Sequence, residues 1–275
     1  MPKLKRAFTY LFLSVAAFVS IFPFLWMIVS STNPSVDVTK GKLLPGSHLM
    51  DNLKKLWDTT DMGSALISSA KIAIITTVLA LLIASLAGYG FEIFRSRAKD
   101  FVFTILLLSM MIPFAALMVP LYKMFSGISQ SAPGIGIDTV TSVILPTVTT
   151  AFLIFFFRQS TKMFPHDMLE AGRIDGLNEL GIFFRIYMPT MRTTYSAAAI
   201  ITFMSSWNSY MWPLIVLQSP KNKTVPLLIS TLGSSYAPDY GVIMTAIVIA
   251  TIPTALVFFL MQKHFVAGMV GSVKG

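Results

Sequence analysis

Six stretches of this 275-residue chain contain no Asp, Glu, Lys or Arg: 7–29, 72–91, 101–122, 139–157, 193–220 and 240–262. Each is close to or above the roughly 20 apolar residues that carry a helix across a bilayer core. A backbone in lipid must satisfy its own hydrogen bonds, which leaves helices or a closed barrel. Barrel strands are about 10 residues of alternating polarity, whereas these runs are continuous. Only 12% of the residues are charged, half the roughly 25% of a soluble domain. The pattern therefore predicts an all-α, polytopic membrane protein with six transmembrane helices. They are expected at about 7–29, 66–91, 101–122, 139–157, 193–217 and 240–262, within one membrane domain covering 1–275. The first run is longer than a signal-peptide core and has Trp26 and Met27 near its end. It is expected to stay as a helix.

Lysines and arginines orient the spans. With the N-terminus inside, the inner segments hold Lys3, Lys5 and Arg6, then Arg95, Arg97 and Lys99. Arg158, Lys162, Arg173, Arg185 and Arg192 follow, and then Lys263 and Lys274. The outer segments hold fewer, four of them in one loop balanced by Asp37, Asp51, Asp58 and Asp61. The positive-inside rule puts both termini in the cytoplasm. That bias accounts for the net charge of +9, and no basic soluble face suggests a nucleic-acid partner.

Little chemistry is available to a single chain of this composition. There are no cysteines, and His48, His166 and His264 lie far apart without metal-ligand spacing, so no metal site is expected. Neither a GxSxG elbow nor a GxxxxGK[ST] phosphate loop occurs. No catalytic residue, enzyme activity or cofactor of its own is expected. Ion-coupled carriers usually keep ionisable groups inside their spans; these runs have none. They carry prolines instead (Pro23, Pro113, Pro120, Pro146, Pro213 and Pro253). Proline kinks helices, which fits either ordinary helix shaping or a pathway that opens alternately to each side.

The charged exception is the inner segment 158–192. Pro165 suits the start of a helix, Asp167 and Glu170 complement the positive end of its dipole, and Gly176 supplies a stop. Met168, Leu169, Ile174 and Leu177 offer an apolar surface. Asn178 can begin a second helix carrying Ile182, Phe183 and Ile186 before Pro189. Two short helices meeting at a Gly turn would make a cytoplasmic knob. Interfacial lipid binding would explain its apolar face but not the acids at its turn, because anionic lipid repels carboxylates.

Glu170-Ala171-Gly172, then Ile174-Asp175-Gly176, Phe183-Phe184, Ile186 and Pro189 resemble the EAA loop of binding-protein-dependent ABC transporter permeases. The resemblance extends to Leu86–Phe91, Met110–Pro113, Pro120–Tyr122, Arg158-Gln159, Trp207-Asn208 and Trp212–Leu217. With the tail Phe265–Gly275, these stretches are similar to the carbohydrate branch, as in the smaller permease of the maltose transporter. Two departures are Gly172, where the family often has Ala, and Leu177-Asn178, where Ala-Ser is usual. Gly172 should cost about 1 kcal/mol of helix propensity and loosen the docking helix.

The resemblance implies that Glu170, Ala171, Gly172, Asp175 and Gly176 couple the chain to a cytoplasmic ATPase, which binds ATP and Mg. It implies that Gly271, Ser272, Val273, Lys274 and Gly275 add a tail contact to that ATPase. The outer loop 218–240 would meet an extracytoplasmic sugar-binding protein. The expected assembly is a heterodimer with a second homologous permease, two ATPase subunits and the binding protein. It would sit in the inner (cytoplasmic) membrane of a bacterial-type cell, in contact with lipid. Trp207, Asn208, Tyr210 and Trp212 are candidate substrate-pathway residues, since sugar sites use aromatic platforms and amide or hydroxyl partners. In this branch the partner permease alone can hold the sugar, so contact from this chain stays open. The function so implied is ATP-driven carbohydrate import. An ion-coupled secondary carrier and an ABC permease for a non-sugar solute are the alternatives.

Overall fold

The computed structural model describes residues 2–132 and 134–271, with side chains from 3 to 262. All regular structure among the described residues is helical. Contacts group the chain into two compact units, Met1–Gly63 with Val225–Pro253, and Ser64–Thr224 with Thr254–Gly275.

In the first unit the helix Pro2–Ser31 is apolar and exposed along most of its length, as a surface made for lipid or another subunit would be. Its end is held by asparagines. Asn33 donates from Nδ2 to the carbonyls of Val29 and Leu44 at 3.0 Å, and buried Asn52 donates to those of Ser31 and Asn33. Asn52 comes from the amphipathic helix Leu49–Thr59, whose Leu56 is also buried. The last long helix begins at Tyr240 beside this cluster. A Cβ on Gly241 would lie 2.6 Å from the Asn33 carbonyl oxygen, so only glycine fits there.

The second unit is organised by the helix Met62–Ile93. Ala80, Ala84 and Gly88 recur every four residues on one of its faces, and Ala80 and Ala84 are fully buried. They pack in one core with Phe103, Leu153, Ile154, Phe157 and Ala198. Small residues at this spacing let two helix backbones approach in a medium where van der Waals packing drives association. At Gly88 the approach is closest: a Cβ there would stand 2.7 Å from the Arg158 backbone nitrogen and 2.7 Å from Phe157 Cβ.

Three of the six uncharged runs form single helices: Lys3–Ser31, Met62–Ile93 and Tyr240–Gln262 are long and apolar enough to cross a membrane. The last of these continues to Gly271 with Pro253 inside it. The other three runs are broken, contrary to the uniform spans expected. Run 101–122 lies in two helices, Arg97–Ser109 and Phe114–Ser131, bent by 99°. Pro113 precedes the second, and a proline lacks the amide that would continue the ladder while biasing its predecessor away from helix. Run 139–157 divides into Val140–Ile144 and Ala151–Lys162. Between them Pro146, Thr147, Thr149 and Thr150 offer the backbone alternatives to a helix. Run 193–217 divides into Arg192–Trp207 and Met211–Val216, and Asn208 folds its amide back onto the Met204 carbonyl at 2.8 Å.

The segment 217–222 is ordered around Asp138, the one non-glycine residue with positive φ among those described. Its carboxylate accepts from the amides of Gln218 and Ser219 at 2.9 Å and from the Ser219 hydroxyl. Burial opposes the charge, but the Ser219 and neighbouring hydrogen bonds outweigh it and hold the Asp138 pKa below its ordinary value. The connection 218–240 contains a helix, Val225–Gly233.

Candidate functional site

The segment 158–192 folds into two arms at a Gly turn. The first arm is the helix His166–Ile174, with Pro165 at its N-cap rather than within its first turn. Its end is a Schellman stop: the Gly176 amide donates to the Arg173 carbonyl at 3.1 Å and the Leu177 amide to that of Gly172 at 3.0 Å. Gly176 takes φ +81°, the left-handed conformation this stop requires. Asn178 then caps the second arm, its Oδ1 accepting from the Gly181 amide at 2.7 Å.

That arm runs Glu179–Ile182 in α geometry and Phe183–Tyr187 as one π turn. Pro189 follows without an N–H, and a π turn spares the ladder a clash with the carbonyl four residues back. Phe183 and Tyr187 stack at 5.3 Å and both meet Tyr89 edge-on, at 5.5 and 5.0 Å. Tyr89 lies near the C-terminal end of the helix Met62–Ile93, so the second arm is packed against that helix. The cluster also buries Phe164, Leu169, Ile182 and Met191. The Tyr187 hydroxyl is 2.7 Å from Thr161 Oγ1, and burial raises its pKa.

A polar clamp reinforces the packing. Glu179 accepts from Arg173 Nε at 2.8 Å and from the Tyr89 hydroxyl at 3.2 Å. One carboxylate thus joins the first arm, the second arm and the long helix. The Arg173 hydrogen bond is the main reason that the Glu179 pKa lies below the usual carboxylate range. Tyr89 lies 90 residues from Glu179, and no motif in the sequence points to this clamp.

The expected coupling residues divide by face. Glu170, Ala171, Asp175 and Gly176 are exposed, whereas Gly172 is buried. The apolar residues of the first arm also divide, instead of forming one surface. Leu169 is buried in the cluster and Ile174 is 86% exposed at the tip between Glu170 and Asp175. Gly172 is the contact point of the two arms, since a Cβ there would meet Ile186 Cδ1 at 2.6 Å and Ile182 Cγ1 at 3.2 Å. The helix continues unbroken through it, with the Asp175 amide on the Ala171 carbonyl at 2.9 Å, and packing offsets the low propensity. Gly172→Ala gains about 1 kcal/mol of propensity and costs about as much in an off-rotamer Ile186. The Tm of the purified assembly should therefore move by no more than roughly 2–4 °C.

Arg158, at the start of the segment, anchors a buried ion network. Arg158 donates from Nε to Glu92 at 3.2 Å and from a terminal nitrogen to Asp100 at 2.6 Å. Its guanidinium sits 4.0 Å from the centre of the Phe103 ring. Arg158 and Glu92 are only 6% and 7% exposed. Neither Glu92 nor Asp100 was picked out by motif.

The candidate pathway residues are dispersed. Trp212 is buried, donating from Nε1 to the Ser142 carbonyl at 2.9 Å with Phe114 and Phe125 against its ring. Trp207 is buried and stacks on Phe203 at 5.8 Å. Asn208 is exposed and Tyr210 half-buried. In the tail, Gly271 ends the last helix, and Ser272, Val273, Lys274 and Gly275 lie outside the described residues.

Comparison with known proteins agrees with the resemblance read from the loop. Residues 80–271 match the family described as binding-protein-dependent transport system inner membrane component. The lactose transport system permease LacG of Rhizobium radiobacter is 48% identical, over 96% of this chain and 95% of that protein. The arabinooligosaccharide permease AraQ of Halalkalibacterium halodurans is 34% identical over 94% and 93%. The sn-glycerol-3-phosphate permease UgpE of Pectobacterium atrosepticum is 30% identical over 97% and 96%. Among solved structures, a chain of a bacterial ABC transporter for alginate import superposes with a TM-score of 0.83. It covers 96% of this chain and 97% of its own at 18% identity, and so shares the fold. The chain belongs to the binding-protein-dependent transport system inner membrane components: it is a multi-pass permease subunit that leaves catalysis to other polypeptides.

Proposed function

We propose that this chain is the permease subunit of an ATP-driven importer of a carbohydrate, forming half of the pathway and coupling it to a separate ATPase. The spans cross the membrane six times with both termini in the cytoplasm, and the broken runs lie at membrane depth, lining protein or the pathway rather than lipid. The whole chain acts as one membrane domain. A second permease, two ATPase subunits and an extracytoplasmic sugar-binding protein complete the assembly. The tail 271–275 makes a further ATPase contact. Lactose and arabinooligosaccharide relatives support a sugar as cargo, and the glycerol-3-phosphate relative supports a non-sugar solute as the second reading.

The observation that carries the coupling is the knob itself. Its tip presents Ile174, 86% exposed, between two carboxylates, while its arms are fixed to each other and to the helix Met62–Ile93 through Glu179 and Tyr89. A tip that binds a partner, on a body rigidly joined to a span, transmits force. Helix-in-groove docking uses such an apolar anchor. Because the chain has no cysteine, Ile174→Cys is a clean probe. It should cross-link to the ATPase subunit in membranes, whereas Lys40→Cys in the outer loop should not. Equal labelling of the two, or none at Ile174→Cys, would remove the knob from the interface.

A further inference from the structure

We propose that this chain holds its own sugar subsite, a cavity of about 300 Å³ in the second unit lined by serine and threonine side chains among apolar ones such as Val143, Leu153 and Ile201. The inference rests on the proposed role as a carbohydrate permease and names the surface that the cargo touches. Thr202, Ser205, Ser206 and Ser209 all line the cavity, and their spacing of i, i+3, i+4 and i+7 puts them on one face of the helix Arg192–Trp207 and its end. Thr76 and Phe152 line it as well.

A second observation is Thr76, which among the described residues is one of five with a buried, unpartnered side-chain polar atom and the one of those five that lines this cavity. It is 2% exposed, and its buried hydroxyl has no hydrogen-bond partner. The adjacent Thr77 satisfies its own hydroxyl on the Ala73 carbonyl at 2.7 Å, as a threonine in an apolar helix ordinarily does. A buried polar group left unpaired in a folded protein asks for an explanation. A rotation of the Thr76 side chain toward the cavity that it lines would let a ligand hydroxyl supply one.

The lining chemistry selects the ligand. No Asp, Glu, Lys, Arg or His lines the cavity, so it has nothing to neutralise a phosphate or uronate. Serine and threonine hydroxyls each donate and accept and rotate freely, which matches the hydroxyls of a neutral sugar in many orientations. Phe152, 46% exposed, offers an apolar face to the C–H side of a sugar ring. The volume lies at the small end of the roughly 300–1,000 Å³ of ligand pockets, suited to a passing sugar unit. Several weak, adaptable contacts let a cargo enter and leave, as conduction requires.

The test uses the complete transporter in proteoliposomes with radiolabelled lactose, arabinotriose or sn-glycerol-3-phosphate, each delivered by its binding protein. ATP hydrolysis and uptake are measured together. In the Thr76→Val, Ser205→Ala double variant, uptake of a neutral sugar per ATP should fall roughly three- to tenfold, the weight of lost hydrogen bonds. Stimulation of ATP hydrolysis by loaded binding protein should persist, and Thr76→Ser should behave as the unaltered protein. An unchanged ratio of uptake to ATP overturns the subsite. So does loss of the second permease from the purified double variant, which would make these hydroxyls a helix-packing surface. Uptake of glycerol-3-phosphate alone by the unaltered complex overturns the neutral-sugar assignment. Absence of any stimulation in the unaltered complex would instead refute the importer reading beneath it.

Discussion

Arg158→Met is expected to destabilise the permease by about 3–5 kcal/mol, because it leaves Glu92 as an uncompensated charge in a buried site. Glu92 is 7% exposed, and its other cationic neighbour, Arg95, is at 3.6 Å and more than half exposed. Solvated Arg95 cannot replace a guanidinium that also bonds Asp100 and covers the Phe103 ring. Changing both partners to neutral residues should recover most of the loss, since an apolar pair of similar volume is often as stable as a buried ion pair. The double variant Arg158→Met, Glu92→Leu should therefore denature closer to the unaltered protein than Arg158→Met does alone. A thermal unfolding series of the purified complex measures this. Additive losses in the double variant would mean that the charges act independently.

Gly88→Val should be comparably damaging for a steric reason. The obstacle to a side chain at position 88 is backbone at Arg158 and the Cβ of Phe157, neither of which can rotate away. The helices Met62–Ile93 and Ala151–Lys162 would have to separate. Overpacking costs about 1–3 kcal/mol where side chains can adjust, and here the adjustment falls on backbone. Separation would also move Arg158 from Glu92, so the two effects should compound rather than add. The expected outcome is low yield and early thermal unfolding of Gly88→Val. Gly90→Ala is the control, because no neighbouring atom lies within 4 Å of a Cβ there. Equal stability of the two variants would contradict the close approach.

Membrane class and knob were legible in the sequence for different reasons. Charge-free length favours a long apolar helix, and three of the six runs fold as one continuous helix each. The same hydropathy does not report where a helix breaks. Pro113, Pro146 and Asn208 mark the interruptions, but proline also sits inside the unbroken helices at Pro23, Pro120 and Pro253. Tertiary context decides which proline breaks a helix and which is absorbed. The knob was readable because its turn is local: Gly176 needs its left-handed conformation and Asn178 caps the next helix within a few residues.

Long-range contacts left no such trace. Arg158 is 66 residues from Glu92, and Tyr89 is 90 from Glu179. Ile174 and Leu169 look equivalent in sequence but face opposite ways. Trp207 and Trp212 illustrate the same limit, since an aromatic residue suited to stacking on a sugar is equally suited to the core that buries both.

The central claim, that the knob couples this permease to ATP hydrolysis elsewhere, is tested most directly in reconstituted vesicles. The chain is assembled with its second permease, ATPase and binding protein, and ATP hydrolysis is measured with and without loaded binding protein. Loaded binding protein should stimulate the unaltered complex. In a Glu170→Ala, Asp175→Ala variant that stimulation should fall by roughly five- to hundredfold, the range of coupling between distant sites. Stimulation that survives both replacements, or gradient-driven uptake by this chain alone, would contradict the account.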